Sequence, residues 1–187
     1  MLKKKHPVGE DSKHFMQVTD NKLAKITARI SQLTKMRVDY PLSAEPYQVV
    51  NYGLGGRYTP HYDAYGMYER PLPEETKFYM QSKGDRIGTF MVYLSSVELG
   101  GGTVFPLLGL RSLPVEGDAI FWINTYSDGT NDVLTKHGGC PVLLGSKWIT
   151  NKWVGYYDQG LEHYPCGLER KEHFNSFADW RKIHHKF

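Results

Sequence analysis

After Tyr40-Pro41 the chain breaks into short runs rich in β-branched and aromatic residues: Tyr47 to Tyr52, Tyr58 to Asp63, Arg86 to Leu94, Asp118 to Asn124 and Lys147 to Tyr157. Runs of this length and composition are strands rather than helices. Between them lie Gly53-Leu-Gly-Gly56, Gly100-Gly-Gly102 and Glu116-Gly117, where a turn can use the positive φ that glycine adopts without steric cost. Upstream, Leu23, Ile26, Ile30 and Leu33 recur at three-and-four spacing among basic residues. That spacing predicts one amphipathic helix over about 13–38, its apolar face covering a sheet. Many short strands with one packing helix predict a mainly β fold, a sandwich or jelly roll closed enough to hold a site inside.

At 187 residues the chain has enough material for one sizeable core. The expected organisation is a tail over 1–12, a domain over 13–166 and a C-terminal extension over 167–187, with the proline-bearing segment Glu69 to Gly84 as a surface loop. A formal charge of +3 is small, and the basic residues are scattered rather than gathered on one element, which argues against a nucleic-acid partner. No stretch approaches a membrane span, and the N-terminus passes from Lys3-Lys4-Lys5 to polar sequence without the apolar segment of a secretory signal. Gly53 to Gly56 lacks the Lys-Ser/Thr pair of a phosphate cradle. Cys140 and Cys166 are compatible with a disulfide, but their spacing does not establish one.

The chemistry is concentrated in Arg57-Tyr-Thr-Pro-His-Tyr-Asp-Ala-Tyr65. In an extended chain His61 and Asp63 project from the same side, about 7 Å apart along the backbone. Alone, His-x-Asp is more often a surface hydrogen-bonded pair. His137, in Thr-Lys-His-Gly-Gly-Cys-Pro, changes that weighting. Two histidines and a carboxylate form the facial set that leaves positions open on non-haem Fe(II), and a catalytic zinc accepts the same donors. Lys147 follows ten residues later, and on a strand it shares a face with Ile149, Asn151, Trp153 and Gly155. Alternation alone leaves open whether Lys147 or Trp148 faces inward; an inward ammonium calls for an anionic ligand. Nothing in the sequence supplies a convincing general base for a zinc hydrolase.

The segments QVVNYGLGGRYTPHYD, DRIGTFMVYLS, GGGTVFP, GDAIFW, KHGGCPVLLGSKW and TNKW, spread over residues 48–166, together resemble the catalytic domain of collagen prolyl 4-hydroxylase α-subunits, within the Fe(II)/2-oxoglutarate dioxygenases. The resemblance implies a double-stranded β-helix (jelly roll) and hydroxylation of proline at C4, with 2-oxoglutarate and O2 consumed and succinate and CO2 released. It implies Fe(II) on His61, Asp63 and His137, and the distal carboxylate of 2-oxoglutarate on Lys147, with Tyr52 and Thr103 lining the co-substrate pocket. Tyr58, Arg86 and Trp153 match residues around the peptidyl-proline channel. The resemblance further implies a collagen-like polypeptide substrate, L-ascorbate as reductant and a Cys140–Cys166 disulfide. It also implies a protein disulfide isomerase partner and the lumen of the endoplasmic reticulum.

Two departures accompany it. Gly155 stands where the family usually has a histidine, which leaves open a catalytically weak relative that binds Pro-rich peptide or partner subunits. The sequence also shows neither the large N-terminal region of animal α-subunits nor a signal sequence, and the expectation is a truncated gene model or a divergent paralogue.

Overall fold

The computed structural model describes residues 12–16, 21–66 and 84–159, with positions 74, 77, 78 and 80 between them. The tail before residue 12, most of the expected 69–84 loop, Cys166 and the extension 167–187 lie outside the described residues. In chain order the elements are β1 (Ser12–Met16), α1 (Asn21–Thr34), β2 (Tyr47–Tyr52), β3 (Tyr58–His61), β4 (Arg86–Tyr93), β5 (Leu99–Gly100), β6 (Thr103–Phe105), β7 (Leu110–Ser112), β8 (Ala119–Ile123), β9 (His137–Gly139), β10 (Val142–Leu144) and β11 (Lys147–Gly155). One sheet runs in the order β1-β2-β11-β4-β8, a second in the order β3-β9-β6-β7, and β10 pairs with β5. All of these pairings are antiparallel. The fold is mainly β, with the helix packed outside it, in keeping with a jelly roll.

The β2-β11-β4 strip of the five-stranded sheet carries buried side chains on both faces, and side-chain alternation decides which residue goes where. Val50 and Tyr52 of β2, Met91 and Tyr93 of β4, Trp122 of β8 and Ile149 of β11 point to the inner side, where they join Phe105 and Val142 in one core. Tyr47, Phe90 and Val154 point the other way and pack beneath Ile30 of α1. The centre of the molecule is therefore the β2-β11-β4 strip, whose inner face floors the space between the sheets.

The helix differs from expectation in two ways. It begins at Asn21 rather than 13, and the residues before it form β1 on the edge of β2, from Ser12↔Asn51 to Met16↔Tyr47. The hydrogen bonds that select a strand there come from β2, which local periodicity does not report. Its buried stripe also differs: Ile30 is buried and Leu23 packs against the core, while Ile26 and Leu33 are 42% and 74% exposed. Thr27 takes the intervening core position, its hydroxyl 2.9 Å from both Leu23 O and the Tyr47 hydroxyl. Lys35, at φ 60°, ends the helix in the left-handed conformation that commonly closes one.

Lys152 is fully buried on the helix side of β11, its ammonium 2.7 Å from the Glu45 carbonyl and 4.7 Å from the Tyr47 ring centroid. Burial pulls its pKa from the ordinary 10.5 to about 8, and the charges of Asp39 and Glu45 offset only part of that. Above about 8 the folded chain releases a proton that the unfolded chain holds until about 10.5. Stability therefore rises with pH across this window, by at most about 1.4 kcal/mol per pH unit. Urea unfolding across the window checks it: the wild type gains on Lys152→Met as pH rises, whereas a pH-independent difference between the two contradicts it.

Candidate active site

The two histidines are brought together by strand register. In the β3–β9 ladder His61 pairs directly with His137, and their ring centroids lie 4.4 Å apart. Close approach of these strands requires glycine at 138, since a Cβ there would stand 2.9 Å from the Tyr58 carbonyl oxygen. The strand ends at His61, so Asp63 falls in the bend that follows rather than in the strand, and the bend swings its carboxylate back towards both rings. His61 Nε2 is 3.5 Å from Asp63 Oδ1, and His137 Nε2 is 3.7 Å from Oδ2.

Each imidazole is oriented in the same way. His61 Nδ1 lies 2.9 Å from Thr59 O, and His137 Nδ1 lies 2.9 Å from Thr135 O. A carbonyl only accepts, so both Nδ1 atoms carry a hydrogen and both Nε2 atoms face the carboxylate. Trp122 and Phe105 flank the His137 ring, at centroid distances of 4.7 and 5.5 Å. Burial lowers the His137 pKa, outweighing the pull of Asp63, which keeps the ring in its neutral, ligating form. For Asp63 the balance goes the other way: burial would raise its pKa, but the His61 contact, the charge that His137 and His61 carry when protonated, and the charge of Arg86 hold it well below the usual carboxylate range. One ligand atom from each residue lies within 4.8 Å of the others, a donor set that fits a divalent first-row metal.

Every residue singled out in the sequence as a ligand, co-substrate contact or peptide contact lines one cavity of about 380 Å³. The open question at β11 is resolved inward for Lys147, which is 2% exposed, while Trp148 faces out. Its ammonium donates to Thr103 Oγ1 at 3.2 Å and lies 5.2 and 5.5 Å from the ring centroids of Tyr52 and Tyr93. Tyr93 donates its hydroxyl hydrogen to the same threonine at 2.9 Å. Arg86 is clamped by Glu45, with Nε 2.5 Å from Oε1 and Nη2 2.9 Å from Oε2, and its guanidinium lies 3.7 Å from the Trp153 ring centroid. The charge pair outweighs the cost of burial and keeps Arg86 firmly protonated.

Several supporting residues are not evident from sequence. Glu45 was not singled out, nor was Thr89, whose hydroxyl donates to Asp63 Oδ2 at 2.7 Å. Asn124 donates to Thr89 Oγ1 at 2.9 Å. Asp85 accepts from the backbone N–H groups of Tyr65, Gly66 and Arg86 at 3.0, 2.9 and 2.7 Å, which ties the bend after Asp63 to the start of β4. None belongs to a local motif; Asp85 and Thr89 sit within DRIGT as an ordinary turn acid and strand threonine. Cys140 is half-buried and has no disulfide partner among the described residues, Cys166 lying outside them.

The family described as the 2OG-Fe(II) oxygenase superfamily matches residues 47–155. The chain is 43% identical over 149 residues to prolyl 4-hydroxylase subunit alpha-2 of Gallus gallus, covering 79% of this chain and 26% of that protein. To prolyl 4-hydroxylase subunit alpha-3 of Homo sapiens it is 45% identical over 147 residues, with the same coverage of 79% and 26%. It thus spans about a quarter of the length of these relatives. Among solved structures, the viral collagen prolyl hydroxylase of Paramecium Bursaria Chlorella virus-1, in its 2OG complex, aligns with a TM-score of 0.63 at 26% identity over 77% of each chain. A Pseudomonas putida prolyl-4-hydroxylase shares the fold at a TM-score of 0.50 and 17% identity, covering 78% of this chain and 71% of that one.

The Asp85 tie yields a direct prediction. Asp85→Ala strands three backbone donors and lowers stability by about 1–3 kcal/mol, read by chemical denaturation; a variant as stable as the wild type contradicts the tie.

Proposed function

The chain belongs to the 2OG-Fe(II) oxygenase superfamily, and from that premise we propose that it is a peptidyl-proline 4-hydroxylase acting on collagen-like polypeptides. The observation that carries the proposal is the cavity. A two-histidine, one-carboxylate set, a buried lysine and an arginine stacked on tryptophan all line the same space. The names of the alpha-subunit relatives and of the viral neighbour supply the reaction and the substrate class. The proposed catalytic unit is residues 13–166.

The family's Fe(II), 2-oxoglutarate and O2 supply the oxidising chemistry, in which the co-substrate leaves as succinate and CO2 and one oxygen atom enters the C4–H bond of proline. His61, Asp63 and His137 would hold the iron, each ring already turned with its Nε2 atom inward. Lys147 offers its ammonium to the distal carboxylate of 2-oxoglutarate, beside the Thr103 hydroxyl and the Tyr52 ring. Tyr58, Arg86 and Trp153 hold the peptidyl-proline, aromatic faces being suited to a pyrrolidine ring, and Glu45 fixes the Arg86 plane against Trp153. L-Ascorbate, a protein disulfide isomerase subunit and the lumen of the endoplasmic reticulum complete this reading as reductant, partner and compartment.

A second reading rests on Gly155. It brings no side chain to the β11 face that carries Lys147 and Trp153, its N–H is spent on Ser43 O at 2.8 Å, and the ladder with β4 shifts register there. On that reading the chain binds Pro-rich peptide with little turnover.

Succinate formation with Fe(II), ascorbate and O2, with and without a (Pro-Pro-Gly)-type peptide, separates the two. The hydroxylase reading predicts peptide-stimulated succinate and hydroxyproline, both abolished by His137→Ala. Turnover absent with and without added disulfide isomerase subunit, in protein that binds the peptide, supports the second reading. Lys147→Ala removes a charged hydrogen bond worth about 1.5–3 kcal/mol and should raise the 2-oxoglutarate requirement about ten- to hundredfold. An unchanged requirement would place the co-substrate elsewhere.

A further inference from the structure

Thr89 and Asn124 lie behind the cavity, each 1% exposed, and the directions of their hydrogen bonds are fixed by chemistry. The carbonyl of Arg86 only accepts, so the Asn124 side-chain atom 3.1 Å from it is the amide nitrogen. The contact from that nitrogen to Thr89 Oγ1, at 2.9 Å, is therefore also a donation. With its oxygen occupied by Asn124, Thr89 directs its own hydrogen to Asp63 Oδ2 at 2.7 Å. The relay runs one way, from Asn124 through Thr89 to a single carboxylate oxygen.

Among the described residues no other side-chain hydroxyl or amide donor separates the two oxygens of Asp63. Oδ1 faces the Nε2 of His61 and Oδ2 faces the Nε2 of His137, at 3.5 and 3.7 Å. Left to itself, a carboxylate so placed can offer either oxygen to a metal, or both. Both together would consume one of the positions that a bidentate co-substrate and O2 require.

We infer that Thr89 and Asn124 are positioning residues that occupy Oδ2 of Asp63 and so present Oδ1 as its one metal-binding oxygen. The inference rests on the assignment of His61, Asp63 and His137 as the iron ligands. It differs from a general stabilising role because it depends on the direction of donation. Asn124→Asp keeps the shape of the side chain but turns a donor into an acceptor, which draws the Thr89 hydrogen away from Asp63. By charge alone the same change would tighten cation binding.

The test uses the full chain stripped of metal and titrated with Mn(II), a redox-stable stand-in for Fe(II), with the free-ion electron paramagnetic resonance signal as readout. Circular dichroism and thermal unfolding report the fold. Thr89→Val is expected to weaken Mn(II) binding about 10- to 100-fold, the effect typical of losing an outer-shell partner. Thr89→Ser is expected to restore it, and Asn124→Asp to weaken it as well. Binding by Thr89→Val equal to wild type, or tighter binding by Asn124→Asp, overturns the inference. If Thr89→Val does not fold, Asn124→Asp alone decides, and unchanged binding there also overturns it. Failure of the ligand assignment looks different: the wild type takes up no Mn(II), or His137→Ala binds it equally well.

Discussion

A carboxylate that is 7% exposed is an expensive group to hold charged inside a protein, and the centre of this molecule is arranged around keeping Asp63 in that state. Desolvation alone would raise its pKa. Arg86, and the two imidazoles when protonated, supply positive potential from the front, and Thr89 supplies a hydrogen bond from behind. Each compensating group is anchored in turn: the imidazoles by backbone carbonyls, Arg86 by Glu45, and Thr89 by Asn124. Remove the metal and these interactions still favour an ionised ligand. The site is therefore preorganised before any ion arrives.

The fold makes this possible because the central strip of its larger sheet carries buried side chains on both faces. Along β11, alternation sends Lys147 into the cavity and Lys152 beneath α1, and both are buried. The two lysines meet opposite environments. Lys152 is held by the Glu45 carbonyl and loses affinity for its proton, a structural role set by the helix side. Lys147 sits among hydroxyls and aromatic rings in a space large enough for a small dianion. Glu45 links the two sides, its backbone oxygen on Lys152 and its carboxylate on Arg86.

How much of this was legible in the sequence follows from how local each signal is. The five long runs became β2, β3, β4, β8 and β11 because alternation and β-branched composition are local properties, although β3 stops at His61 rather than Asp63. His61, Asp63, His137 and Lys147 were singled out by residue type together with the family resemblance of the segments that carry them, although alternation left the direction of Lys147 open. Strands β5, β6, β7, β9 and β10, of two or three residues each, exist only through partners distant in sequence. The same holds for β1, which took residues expected to be helical. Ile26 and Leu33 fit the helical period yet face solvent, while Thr27 takes the core position and finds a hydrogen-bond partner in Tyr47. Thr89, Asn124, Asp85 and Glu45 could not be picked out, since their roles come from what the fold places beside them.

In the proposed function one cavity holds the metal and 2-oxoglutarate together, with the co-substrate bound to the iron. Anaerobic addition of 2-oxoglutarate to the Fe(II)-loaded protein tests this arrangement through the visible charge-transfer absorption that appears when a 2-oxo acid chelates Fe(II). A saturable band is expected that needs both components, is lost in His137→Ala and requires more co-substrate in Lys147→Ala. Co-substrate that binds without the band, or with equal affinity in the absence of metal, would show that the two do not share the site.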